Sequence, residues 1–336
     1  MKRISILAAV WLIVASAAAA QIGKTVAVAA GTDEDKALVP IYAAPDGPEK
    51  IALIDKFMAD YGKGDFELLG DQLYVQTYLA QKNYAKTLEY GDKVLALDPD
   101  NLVAATSMAR AAAEAGDTQR LFVAGEKASA IIAAYKAKPA PEGTPAEQWA
   151  ETKNNAVKNA QDDINYAEYS MIQSAYKTQD NAARAALFQR YVAAFPDSPY
   201  TAAARDQTAI AYQQAQNIPK MLESAQNALT ADPNDVSMLI LLADYWSDNG
   251  QQLDKAAADA QKALDVLKDA KKPDNVTDDQ WQLQPGGRRC VQTSEVLAQI
   301  EQLLLWPQSL PPGVYAGEDA AHARSARGAH RSGERE

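Results

Sequence analysis

Side chains able to do covalent or acid–base chemistry are scarce in this chain, and the scarcity itself narrows its function. Histidine, the usual general base near neutral pH and a common metal ligand, occurs only as His322 and His330. The lone cysteine, Cys290, lies in the same C-terminal stretch and has no partner for an internal disulfide. Carboxylates gather as Asp33-Glu34-Asp35, Asp162-Asp163 and Asp278-Asp279. None has the ligand spacing of a calcium-binding loop, so they read as solvated charge. Gly286-Gly287 follows no strand and opens no helix, which removes a phosphate-cradling loop. Asn275-Val-Thr277 has the glycosylation acceptor pattern, which matters only in a host that modifies such sites. The expectation is no catalytic residue, no metal site and no cofactor: a protein that is not an enzyme.

Recognition is the chemistry that remains. Trp149, Trp246, Trp281 and the tyrosines offer flat amphipathic rings that stack on sugars or pack on peptides. The formal charge is −11, and −13 without Lys2 and Arg3, which repels phosphate backbones and makes nucleic acid an unsuitable partner.

Helices must position these groups. Leu95-Ala-Leu-Asp-Pro-Asp-Asn101 and Leu229-Thr-Ala-Asp-Pro-Asn-Asp235 are two copies of one helix ending, 134 residues apart. At the same offset Leu53 falls on Leu187, Tyr78 on Tyr212, Leu88 on Leu222 and Gly116 on Gly250. Fixed-offset echoes mark a chain built by repeating a supersecondary unit. Apolar spacing predicts helices starting near Glu49, then over 66–80, 84–97, 103–115 and 119–137. A proline-rich loop follows at 139–145, then a helix carrying Trp149, with Thr144 and Glu147 read as its capping box, running past Gln161. Further helix pairs fit 165–198, 202–235 and 236–267.

With Pro99 as the closing proline, Tyr78, Tyr84, Leu88 and Val94 fall at packing positions of a tetratricopeptide (TPR) repeat, a helix pair of about 34 residues. Ala209, Tyr212, Ala225, Ala228 and Pro233 do so again, as do Leu239, Leu242, Ala243, Trp246 and Gly250. The family's consensus Gly and Ala are absent in the first of these, where Val75 and Thr87 stand. Over about 49–281 the chain resembles a divergent member of that family. The resemblance implies an all-α fold, a right-handed TPR-like solenoid of antiparallel helix pairs whose first helices line a concave groove. Carried onto this sequence, the groove positions are Gln72, Gln76, Thr106, Arg110, Tyr169, Gln173, Tyr176, Lys177, Asp206, Gln213, Asp244 and Asp248. Such a surface suits a protein or peptide partner.

The ends read differently. Lys2 and Arg3, an apolar run from Ile4 and Ala18-Ala19-Ala20 form a secretory signal over 1–20 with Gln21 as the mature start. The run is shorter than the ~20 residues of a spanning helix, so no transmembrane segment is expected in the mature chain. Residues 21–48 read as an extended, mobile leader, 49–282 as the solenoid, and 283–336 as an anomalous, poorly structured tail. The 21 lysines all lie at or before Lys272, while half of the arginines follow Trp281. That shift reads either as a natural disordered tail or as a reading frame lost near 282. In both cases the last repeat is expected to lack its covering helices, so that its apolar face is exposed or poorly capped. The leading reading is an exported scaffold of the bacterial cell envelope, periplasmic or extracellular. The alternatives are a periplasmic small-ligand or glycan-binding repeat protein, and a regulatory module of a truncated larger protein.

Overall fold

The helix ends repeat as faithfully as the sequence. Asn83 and Asn217 each precede a helix and accept the backbone N–H three residues on, from Lys86 and Lys220. Each asparagine N–H in turn donates to a tyrosine carbonyl of the preceding helix, Tyr78 or Tyr212. The residues just before them, Lys82 and Gln216, hold the same left-handed backbone, φ 58° and 57°. Asp98-Pro99 and Asp232-Pro233 stop the helices that follow. Asn101 and Asp235 then cap the next pair through Ala104 and Met238. Gly116 and Gly250, at φ 73° and 62°, turn the chain out of those helices. This is the conformation a side chain resists and glycine does not.

The computed structural model describes residues 22–269. Among them are thirteen helices and no strand. They are α1 (Asp33–Ala43), α2 (Pro48–Tyr61), α3 (Asp65–Ala80), α4 (Tyr84–Leu97), α5 (Leu102–Ala115), α6 (Thr118–Ala137) and α7 (Ala146–Asn159). Then come α8 (Gln161–Lys177), α9 (Asn181–Ala194), α10 (Thr201–Gln214), α11 (Ile218–Ala231), α12 (Val236–Asp248) and α13 (Leu253–Asp269). The bounds of α4 and α11 differ by 134 at both ends. The expected signal peptide, Trp281 and the tail lie outside the described residues. None of the described helices is long and apolar enough to cross a membrane. The chain divides into two compact units, one ending at Ala204 and one beginning at Arg205.

In the first unit each short connection folds a helix back on its predecessor. α3 pairs with α4 and α5 with α6, and α5 also rests on α3 and α4. α8, rather than α7, takes the place of the next first helix: it packs on α5 and α6, and α9 packs on α6 and α8. Each pair buries its second apolar face against the next, as a TPR-like stack requires. Phe122, Met171, Phe188 and Tyr191 fill the largest cluster. Close approach is made by glycine. A Cβ on Gly91 in α4 would sit 2.5 Å from the sulfur of Met108 in α5, and Gly125 in α6 receives the sulfur of Met171 in α8 in the same way. The second copy solves the Gly91–Met108 position differently, with Ala225 against the shorter Leu242 in one buried cluster.

Four expectations are corrected. The leader is not loose: residues 33–43 form α1, whose Leu38 and Ile41 are buried against α2 and α3. Ile22 is buried beside Leu102, and the Lys24 N–H donates to Asp98 at 2.7 Å. The loop before Trp149 has no capping box, because Pro145 occupies the cap position of α7 with no side-chain acceptor. The helix does not run through Gln161 unbroken but ends at Asn159 and restarts at Gln161.

The fourth correction concerns the last described helix of the second unit, where α12 packs on α11 and α13 on α12. In α6 the stripe Leu121, Gly125 and Ala128 is buried, with Gly125 against α8. At the 134-residue offset α13 carries Lys255, Asp259 and Lys262, with Asp265 in place of Ile131. Lys255, Lys262 and Asp265 are exposed. At these positions α13 carries charged side chains where α6 carries apolar ones.

Candidate binding groove

The first helices of the repeats in unit 1, α3, α5 and α8, present two clefts. The first, of about 190 Å³, is lined by Leu69, Gln72, Val75 and Gln76 of α3, Val94 of α4, Val103 and Ala104 of α5, and Tyr42 of α1. No charged side chain lines it. Tyr42 is 61% exposed and Val103 40%, a large apolar surface left open at the rim. Gln76 is exposed, while the Nε2 of Gln72 is buried and donates to nothing in the fold.

The second cleft, about 680 Å³, lies between α5 and α8 and gathers Tyr166, Tyr169, Gln173 and Lys177 with Glu114, Leu121 and Thr118. Tyr166 donates to Glu114 at 2.7 Å, and the Arg110 guanidinium stacks 4.0 Å over its ring. Burial, then the bond to Glu114, raises the Tyr166 hydroxyl above its ordinary value, so it stays a neutral donor. Tyr169 stands 54% exposed above them. This cleft mixes phenol, amide, one ammonium and one carboxylate. With the hydroxyls of Thr118, Ser170, Ser174 and Thr178, that set suits hydrogen-bonding a peptide.

The twelve positions taken from the repeat resemblance divide. Gln72 and Gln76 meet in the first cleft, and Tyr169, Gln173 and Lys177 in the second. Thr106 is corrected: it is buried and donates to the Leu102 carbonyl of its own helix, so it reaches no partner. Arg110 is held by Asp163 at 3.0 Å and acts as a prop for Tyr166. Tyr176 is half-exposed but leans edge-on against Phe188, outside the second cleft. Asp206, Gln213, Asp244 and Asp248 lie on α10 and α12 in the second unit, in neither cleft. Tyr42 and Val103 were missed, the first because it sat in a segment read as a leader. Its one signal was Thr32 three residues before Asp35, a helix-start pattern; Thr32 does cap α1.

Two of the expected stacking platforms, Trp149 and Trp246, are held within the fold. Trp149 donates to the Lys138 carbonyl at 3.0 Å and packs edge-on against Tyr135. Trp246 is buried. Of the acidic groups, Asp35 accepts from Gly31 at the start of α1, Asp33 pairs with Lys36, and Asp163 with Arg110. No trio of histidine, cysteine or carboxylate groups converges as metal ligands among the described residues. Away from both clefts, burial lifts the Asp71 carboxyl to about 6; Lys93 opposes this and Glu67 adds to it.

No family model matches this sequence, and no curated protein matches it. Among solved structures it is similar to the crystal structure of the P58(IPK) TPR domain, at 14% identity and TM-score 0.30, over 82% of this chain and 75% of that one. It is also similar to the Cut9–Hcn1 hetero-tetramer of APC/C, at 13% identity and TM-score 0.27, over 70% of this chain and 53% of that one. The helix-pair architecture rests on the packing described above, not on these likenesses.

Proposed function

We propose that this chain is a non-enzymatic repeat scaffold, exported to the bacterial cell envelope, that holds a peptide segment of a partner protein across α3, α5 and α8. The observation that carries the reading is the pair of clefts on adjoining first helices, rimmed by open Tyr42, Val103 and Tyr169 and lined by the exposed Gln76 amide. Rigid amphipathic rings contribute much of the binding energy in such surfaces, and amides satisfy the polar backbone laid over them. Export is supported by the charged start, apolar run and small-residue end of 1–20, and N-terminal sequencing of secreted material should begin at Gln21.

A photo-crosslinking residue placed in living cells at Gln76 or Tyr169 should trap a discrete protein. The same residue at Val123, exposed on α6, should trap none. Equal trapping at the three positions, or none at any, refutes the groove.

A further inference from the structure

Residues 25–28, Thr-Val-Ala-Val, cross the first unit without joining any element. Their side chains alternate as in an extended strand: Thr25 and Ala27 are exposed, while Val26 and Val28 are half-buried on the helices. Val26 rests on the cluster of Leu68, Val75, Val94 and Ala104, and Val28 on that of Leu38, Ile54 and Phe57. The segment is pinned at both ends. Upstream, the Leu102 N–H donates to the Ile22 carbonyl, the Lys24 N–H to Asp98, and the Lys24 ammonium to the Leu97 carbonyl. Downstream, Thr32 turns back on the Ala29 carbonyl and caps α1. Between the pins, no backbone N–H or C=O of residues 25–28 bonds to the described chain.

An extended segment held in place, with its main chain unpaired among the described residues, is a template for a strand. It also adjoins the first cleft: Val75, Val94 and Ala104 both line that cleft and carry Val26. We infer that residues 25–28 take an extended segment of the partner by strand addition, with an apolar side chain of that segment seated between Tyr42 and Val103. Main-chain pairing supplies affinity, and the uncharged lining selects a segment without charge at the seated residue. The inference rests on the groove reading and specifies how its first cleft is used.

The test uses the purified chain and a library of acetylated, amidated octapeptides. Retained peptides should carry apolar, β-branched residues at alternate positions and no charge at the seated one. With the tightest of them, deuterium uptake at residues 25–29 should slow about tenfold or more, the protection given by main-chain hydrogen bonds. N-methylation at alternate peptide positions on one edge should weaken binding about tenfold each, and on the other edge hardly at all. Ala27→Pro, at an exposed position whose N–H bonds to nothing in the described chain, should keep the wild-type urea midpoint; retained peptides should lose affinity to it when pairing uses that edge, and the exchange measurement reads either edge. Protection of α3 and α5 with unchanged uptake at 25–29 overturns strand addition and leaves the groove standing. No retained peptide at all overturns both.

Discussion

Substituting Gly91 by alanine sets two known effects against each other. Alanine favours a helix interior over glycine by about 1 kcal/mol. The new methyl would lie 2.5 Å from the Met108 sulfur, well inside van der Waals contact. Forcing a methyl into a packed core costs about 1–3 kcal/mol, so Gly91→Ala should destabilise the α4–α5 pair by a net ~1 kcal/mol. The second copy holds the compensated solution, Ala225 with Leu242, both fully buried. Met108→Leu alone removes the reaching thioether and should cost less than about 1.5 kcal/mol. Combining the two changes rebuilds the second copy's contact, and the double variant should be at least ~1 kcal/mol better than the sum of the singles. Urea-dependent hydrogen exchange at α4 and α5 amides reads the first unit separately from the second. A neutral or stabilising Gly91→Ala, or additive effects in the double variant, would refute the packing argument.

Three other outcomes are expected. Because burial raises Asp71 to about 6 from 3.8, its ionised form opposes folding; the penalty is full above pH 6, fades as pH falls and is gone below about 4. Asp71→Asn should therefore stabilise by about 1–2 kcal/mol at pH 7.5 and by nothing near pH 4, and parallel urea midpoints across that range would contradict this. Gly116→Ala and Gly250→Ala should each cost about 1 kcal/mol by thermal melting, since both hold the same left-handed turn; unequal losses would mean that the two turns are not equivalent. Making α13 apolar at the positions of the α6 stripe, as K255L/D259A/K262A/D265I, should turn a charged face into an apolar one. Light scattering should then show concentration-dependent self-association, and a chain that stays at its wild-type mass would argue that this face is not open to solvent.

What could be read in the sequence was what local punctuation decides. α4 begins after Asn83 and ends before Asp98-Pro99, and both ends fall where those residues place them. α1 was hidden because Pro40 sits inside it and Gly47-Pro48 follows closely, although Leu38 and Ile41 bury as a helix face should. The break at Ala160 has no local cause among helix-forming neighbours. It arises where α7, lightly attached, gives way to α8, which packs on both α5 and α6. Gln72 and Gln76, and Tyr169, Gln173 and Lys177, line two clefts because a repeat's first helix presents that face. Thr106 does not, because a hydroxyl one turn from its own Leu102 carbonyl satisfies itself there. The capture of Arg110 by Asp163 joins residues far apart in sequence, so pattern reading within single repeats does not reach it.

The insertion of α7 has a mechanical consequence. It is tied to the end of α6 chiefly by the Trp149 indole and the Lys153 ammonium, which both donate to the Lys138 carbonyl, and it buries little beyond Ala156. The loop ahead of it, residues 139–145, is exposed along most of its length. A protease that nicks this loop meets little resistance, yet α6 and α8 continue to grip one another directly. The chain can thus be opened at this point without separating the pieces, which makes 139–145 the natural place for new termini or for an inserted domain.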